Sequence, residues 1–113
     1  MAGIKIPDIN QWIVQGRLTR DPEFRDVGDS QVCKFGLAQT RYYRDRQGES
    51  KEETLFIDIE CWGKTAEFCR DHKTGNAVSI EGRVCLSTWD KEGETRKRHY
   101  IKAHRVQAME FHG

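Results

Sequence analysis

No stretch of this sequence is apolar over the ~18 residues that a membrane-spanning helix needs, and its start, "MAGIKIPDINQW", holds no signal-peptide hydrophobic block. A cytoplasmic protein with no membrane partner is expected. Paired short cysteine spacings are also missing. Cys33, Cys61, Cys69 and Cys85 fall mostly inside predicted strands, which argues against a disulfide framework and for reduced, largely buried thiols. The spacing of Cys61, Cys69 and His72 matches no common structural zinc motif, so no metal is expected. Charge of one sign is lacking too: 19 Lys and Arg stand against 18 Asp and Glu, a net +1. Any anionic partner therefore has to be met by local patches. With no repeat, low-complexity segment or linker, and with 36% hydrophobic and 33% charged residues among 113, the chain reads as one small domain with a single core.

Two local basic patches are present. "RYYRDRQGESK" (41–51) sets Arg41, Arg44, Arg46 and Lys51 around two tyrosines, and "RKRH" (96–99) brings Arg96, Lys97 and Arg98 together beyond a turn. An isolated charge run is more often plain solvated surface, so their meaning depends on what lies beside them.

Along the chain, "QWIVQGRLTR" (11–20) reads as a strand and "DPEFRDVGDS" (21–30) as turn-rich. "QVCKFGLAQTRYY" is a second strand, in which Cys33, Phe35 and Leu37 alternate with Lys34 and Gly36. The tip "RDRQGES" returns the chain into a third strand that Gly63 ends. "KTAEFCRDHK" predicts a short helix with Ala66, Phe68 and Cys69 toward the core. "NAVSIEGRVCLSTW", the turn "DKEGET" and "RKRHYIKAHRVQAMEF" complete two more strands. An all-β fold with five strands and one short helix between strands three and four is the order of the OB-fold, a Greek-key barrel that often binds single-stranded nucleic acid or oligosaccharides. Residues 1–10 are expected to be an N-terminal extension and 11–111 the barrel.

The third strand poses the functional question. In "ETLFIDIECW" (53–62), Leu55, Ile57, Ile59 and Cys61 share one face, while Phe56, Asp58, Glu60 and Trp62 share the other. The apolar set claims the core, which leaves Phe56 and Trp62 outward, ~20 Å apart along the strand. Tyr43 ends the second strand and Trp89 ends the fourth at its hairpin. Exposed aromatics in such number suit base stacking, which is indifferent to base identity, and the interleaved Arg41, Arg44, Arg96 and Arg98 suit phosphates. Trp12, on the parity of Val14, is assigned to the core or a subunit contact. His72, His99, His104 and His112 share no spacing and read as surface residues.

Three segments, "GRLTRDPEFR" (16–25), "KEETLFIDIECWGKTAEF" (51–68) and "SIEGRV" (79–84), taken in order and spacing, resemble the bacterial single-stranded DNA-binding protein family over about Asn10 to Phe111. The resemblance implies that Tyr43, Phe56, Trp62 and Trp89 stack on bases. It further implies that Lys64 and Lys73 meet the strand and that the chain assembles as a homotetramer, with a dimer second. It also implies binding and protection of single-stranded DNA in replication, recombination and repair near the nucleoid, with no catalysis and no cofactor. Trp89 follows "LST", where many members carry Arg or Lys, so "RKRH" substitutes for them across the hairpin. The family's glycine- and proline-rich linker with its acidic recruiting tail does not follow "EFHG". Either the chain was trimmed or it lacks that role, and tail-dependent protein partners are not expected of these residues.

Two other function classes compete. An OB-fold nuclease needs convergent carboxylates around a metal, for which Asp58 and Glu60 are the one pair on the aromatic face. A protein-binding adaptor of the replication-restart type needs no stacking face at all.

Overall fold

The computed structural model describes Gly3 and residues 6–109. The expected domain end at Phe111, His112 and residues 1, 2, 4 and 5 of the N-terminal extension lie outside the described residues. Along the rest run β1 (Trp12–Leu18), β2 (Glu23–Val27), β3 (Ser30–Arg44), β4 (Ser50–Trp62), α1 (Gly63–Cys69), β5 (Ala77–Lys91) and β6 (Glu94–Ala108). Hydrogen bonding orders the strands β1-β5-β6-β4-β3-β2, and β1 also reaches β3, with Arg17 opposite Ala38 and Leu18 opposite Leu37. That second pairing closes the sheet on itself. β4 and β6 run parallel, from Asp58 opposite Tyr100 to Cys61 opposite Ala103. The other pairings are antiparallel. The architecture is the Greek-key OB barrel, with its helix between the third and fourth of the five barrel strands.

β2 was not anticipated. "DPEFRDVGDS" carries turn residues at both ends, yet Glu23–Val27 pairs in register with Ser30–Lys34 across the two-residue turn Gly28-Asp29. β2 follows the same edge of β3 that β1 reaches further along. The two short strands thus fill one place in the barrel wall, and the count of five barrel strands stands.

Alternation builds the core. Cys33, Phe35 and Leu37 of β3, Ile59 and Cys61 of β4, and Ile80 of β5 are each at most 1% exposed, as period-two side chains on the inner face must be. α1 plugs the barrel with Ala66 and Cys69, which lie three residues apart and so share a helix face. Phe68, expected beside them, is 47% exposed. It is rotated ~100° from Cys69, off that face. All four cysteines are free. The Sγ atoms of Cys61 and Cys69 lie 3.7 Å apart. Burial, with Cys69 nearby, pushes the Cys33 thiol up to about 11, and the contact with Cys69 together with burial pushes Cys61 up as well. His72 packs edge-on against Phe68, with ring centroids 5.1 Å apart.

Two local devices hold the wall in shape. β5 slips in register against β6 between Glu81 and Gly82, so that Glu81 faces Arg105 and Gly82 faces Ala103. A Cβ on Gly82 would strike the Lys102 carbonyl oxygen and lie 2.9 Å from Ala103 Cα. Gly82→Ala is accordingly expected to cost ~1–3 kcal/mol of stability by overpacking, read as a lower urea midpoint at unchanged slope. Asp21, after β1, accepts hydrogen bonds from the backbone N–H and the hydroxyl of Thr74, both at 2.8 Å. These bonds hold its carboxyl below the ordinary 3.8, so its contribution is complete above that value and is lost as pH falls through the lowered one. Asp21→Ala should therefore melt earlier than the native chain at neutral pH, and the gap should close in strong acid.

Beyond the barrel, the strands continue as two hairpin arms. β3 and β4 pair out to Arg44 opposite Ser50, and β5 and β6 pair out to Lys91 opposite Glu94. Residues 40–44 and 50–56 are all exposed, as are 88–91 and 94–99. The radius of gyration is 17.4 Å, against about 13 Å for a fully compact chain of this length.

Candidate nucleic-acid interface

The register of β4 decides which side chains leave the barrel. With Ile59 and Cys61 inside, Phe56 and Trp62 point out, 70% and 37% exposed. Parallel pairing with β6 sets Tyr100 opposite Asp58 and Lys102 opposite Glu60. β5 adds Cys85 opposite Tyr100, Ser87 opposite Arg98 and Trp89 opposite Arg96. Directly opposed residues share a face. One outer surface therefore carries Phe56, Trp62, Trp89, Arg96 and Arg98, with Tyr100 and Lys102 among them. The Lys102 ammonium stands 5.7 Å from the centre of the Trp62 ring, and the Trp62 indole N–H donates to Glu60.

Charges on this surface are tied together. Arg98 lies 3.0 Å and Arg20 3.5 Å from the two oxygens of Asp58, and Arg96 lies 3.3 Å from Glu94. Arg20 reaches Asp58 across Gly36, where a Cβ would collide with the Thr19 hydroxyl and come within 3.1 Å of the Arg20 guanidinium. The carboxylates that tempted a nuclease reading are thus engaged, Asp58 by two arginines and Glu60 by the indole. Among the described residues, no group of three or more His, Cys, Asp or Glu is placed to hold a metal ion.

The remaining candidates sit elsewhere. Tyr43 pairs with Lys51 and Arg41 with Glu53, which puts both on the parity of Leu37, across the arm from Phe56. The Arg41 guanidinium lies 4.9 Å from the Tyr43 ring centre and 3.8 Å from Glu53. Tyr42, 76% exposed, takes the parity of Phe56 instead. Arg44 donates to the Gly48 carbonyl at the arm tip. Lys64 is exposed in the first turn of α1, and Lys73 is exposed in the connection to β5, where its backbone N–H donates to Asn76. Trp12 is 36% exposed and so is no core residue.

Sequence reasoning passed over Arg20, Tyr100 and Lys102. The last two were legible, since Arg98, Tyr100 and Lys102 alternate with the buried Ile101 and Ala103. Arg20 carried no such signal. Asn10, at the end of the expected extension, is fastened to the barrel by two hydrogen bonds between its side-chain amide and the backbone of Val84, at 2.8 and 3.0 Å.

A sequence model of the single-strand binding protein family matches residues 9–109. The chain belongs to that family. Among relatives, a single-stranded DNA-binding protein of Wolinella succinogenes is 35% identical over 107 residues, covering 92% of this chain and 66% of the relative. A second, from Chlorobaculum tepidum, is 36% identical over 108 residues, covering 92% and 73%. Against a Helicobacter hepaticus relative the chain spans 61% of the longer protein. The chain thus spans about two thirds of the length of these curated relatives. Among solved structures, a single-stranded DNA-binding protein from Thermus aquaticus, a deletion mutant, superposes with a TM-score of 0.79 at 25% identity, over 90% of this chain and 51% of that one. A Plasmodium falciparum protein, solved in complex with single-stranded DNA, shares the fold at a TM-score of 0.83 and 19% identity, over 95% and 100%.

Proposed function

We propose that this chain binds single-stranded DNA without regard to base sequence and shields it during replication, recombination and repair. The observation that carries the reading is the outward row of Phe56, Trp62 and Trp89 on the face that also holds Arg96, Arg98 and Lys102. An unpaired base stacked on an exposed ring is worth ~1–3 kcal/mol whatever its identity. Arginine and lysine between the rings neutralise the phosphates that join the bases. The activity is binding alone, without a chemical step or a cofactor. The names of the relatives support this reading.

Duplex DNA hides the faces of its bases, so a dT oligomer should bind far more tightly than a duplex of equal length. Its log–log salt slope should be about −0.7 for each phosphate neutralised. A slope near zero would remove the electrostatic half of the mechanism, and equal affinity for duplex would remove the stacking half.

Tyr43, Arg41, Arg44, Lys64 and Lys73 belong to the proposed path of the strand beyond this face. Its place is with the nucleoid in the cytoplasm, where single strands arise. The proposed assembly is a homotetramer, with a dimer as the second choice. β1 pairs with β5 from Trp12 to Arg17 but meets β3 only at Arg17 and Leu18. Among the described residues, its other edge has no strand partner from Trp12 to Gln15, beside Ile13 at 65% and Leu55 at 40% exposed. A second copy laid along that edge would satisfy the free backbone groups and cover the apolar side chains. Light scattering should report an oligomer at micromolar concentration, and a DNA-binding monomer would contradict the assembly.

A further inference from the structure

We propose that Asp58 is a built-in counter-ion of the strand-binding face, displaced from Arg20 and Arg98 by strand phosphates when DNA binds. The inference rests on the single-stranded DNA reading above and names the residue that sets its strength. Each oxygen of Asp58 is taken by a different guanidinium, Oδ1 by Arg20 at 3.5 Å and Oδ2 by Arg98 at 3.0 Å. The two arginines come from separate parts of the chain, one from the connection between β1 and β2 and one from the exposed stretch of β6. Both converge on one negative charge lying between Phe56 and Trp62 on the outward side of β4.

Two guanidiniums that hold a carboxylate also suit a phosphodiester, which offers paired oxygens and the same single charge. The cradle is open to such an exchange. The arginine side chains are 46% and 53% exposed and that of Asp58 is 30% exposed, so water screens the pairs and each is worth little. Gly36 leaves the room in which Arg20 lies across β3. In the free protein the carboxylate therefore offsets one of the two positive charges. On binding, a phosphate takes over the two cations and Asp58 turns to solvent. Asp58 acts as a brake on affinity, so that the strand is held firmly but released when another protein competes for it.

The test is Asp58→Asn, which keeps the shape and removes the charge, assayed with a dT oligomer across a salt series. The variant is expected to bind about 2- to 30-fold tighter at low salt, the strength of two half-exposed pairs. Its log–log slope should steepen by about 0.7, because one carboxylate charge no longer offsets the phosphate that the two arginines take up. Arg98→Ala should then cost more affinity in the Asp58→Asn background than in the native one, because only there is the guanidinium unengaged before DNA arrives. Asp58→Ala provides the same comparison with a second replacement, and a thermal melt of each variant confirms its fold. An unchanged salt slope, or weaker binding, in folded Asp58→Asn overturns the proposal. A native chain that binds no dT oligomer overturns the strand-binding reading itself, and the counter-ion with it.

Discussion

The Phe56→Ala/Trp62→Ala double variant is expected to lose ~2–6 kcal/mol of affinity for single-stranded DNA, at ~1–3 kcal/mol for each stacked base. The two rings stand six residues apart along β4, or ~20 Å, far enough for their losses to add. Both are outward, 70% and 37% exposed, so their removal opens no cavity and the melting temperature should barely move. Each single variant should lose about half as much. A double variant that binds like the native chain would show that the strand runs elsewhere.

Ile59→Ala should do the reverse. The side chain is 1% exposed and packs in the cluster that includes Phe35, Ile80 and Ile101. Truncation there is expected to cost ~2–5 kcal/mol of folding stability through lost burial and a residual cavity. Denaturant titration would show the loss as a lower midpoint, while molecules that remain folded keep their outer face and their affinity. The pair of results is more informative than either alone, since a general loss of fold damages both properties together. If Trp62→Ala unfolded the chain while Ile59→Ala left it stable, the register of β4 would be off by one residue and every outward assignment would invert.

That register was readable because "LFIDIECW" alternates without interruption, and a strand buried on one side has no other way to sort its residues. The other barrel strands were legible for the same reason, and the helix was legible from Gly63 ending β4 and from the non-alternating run "KTAEFCRDHK" after it. β2 was not, because Pro22, Gly28 and Asp29 advertise turns while the five residues Glu23–Val27 hold little apolar pattern; its strand character comes from pairing with β3. Phe68 was misplaced because a helix this short buries one narrow stripe, which Ala66 and Cys69 already fill. At the tyrosine pair, both rings are exposed and only the ladder, with Tyr42 opposite Glu52 and Tyr43 opposite Lys51, separates their faces. Contacts between remote segments left no trace in any local pattern. The meeting of Arg20 and Arg98 on Asp58 depends on barrel closure and on the parallel pairing of β4 with β6. Alternation reports which side of a strand a residue takes, but it is silent on which strand lies next to it.

The central claim is that bases stack on the outward aromatics of β4, and it is tested most directly by titrating poly-dT into the native chain and into Trp62→Ala while following tryptophan fluorescence. The native chain should show saturable quenching that persists in moderate salt, and Trp62→Ala should show weaker binding with a smaller quench. Binding of poly-dT with equal affinity and equal quenching in both proteins would contradict the account.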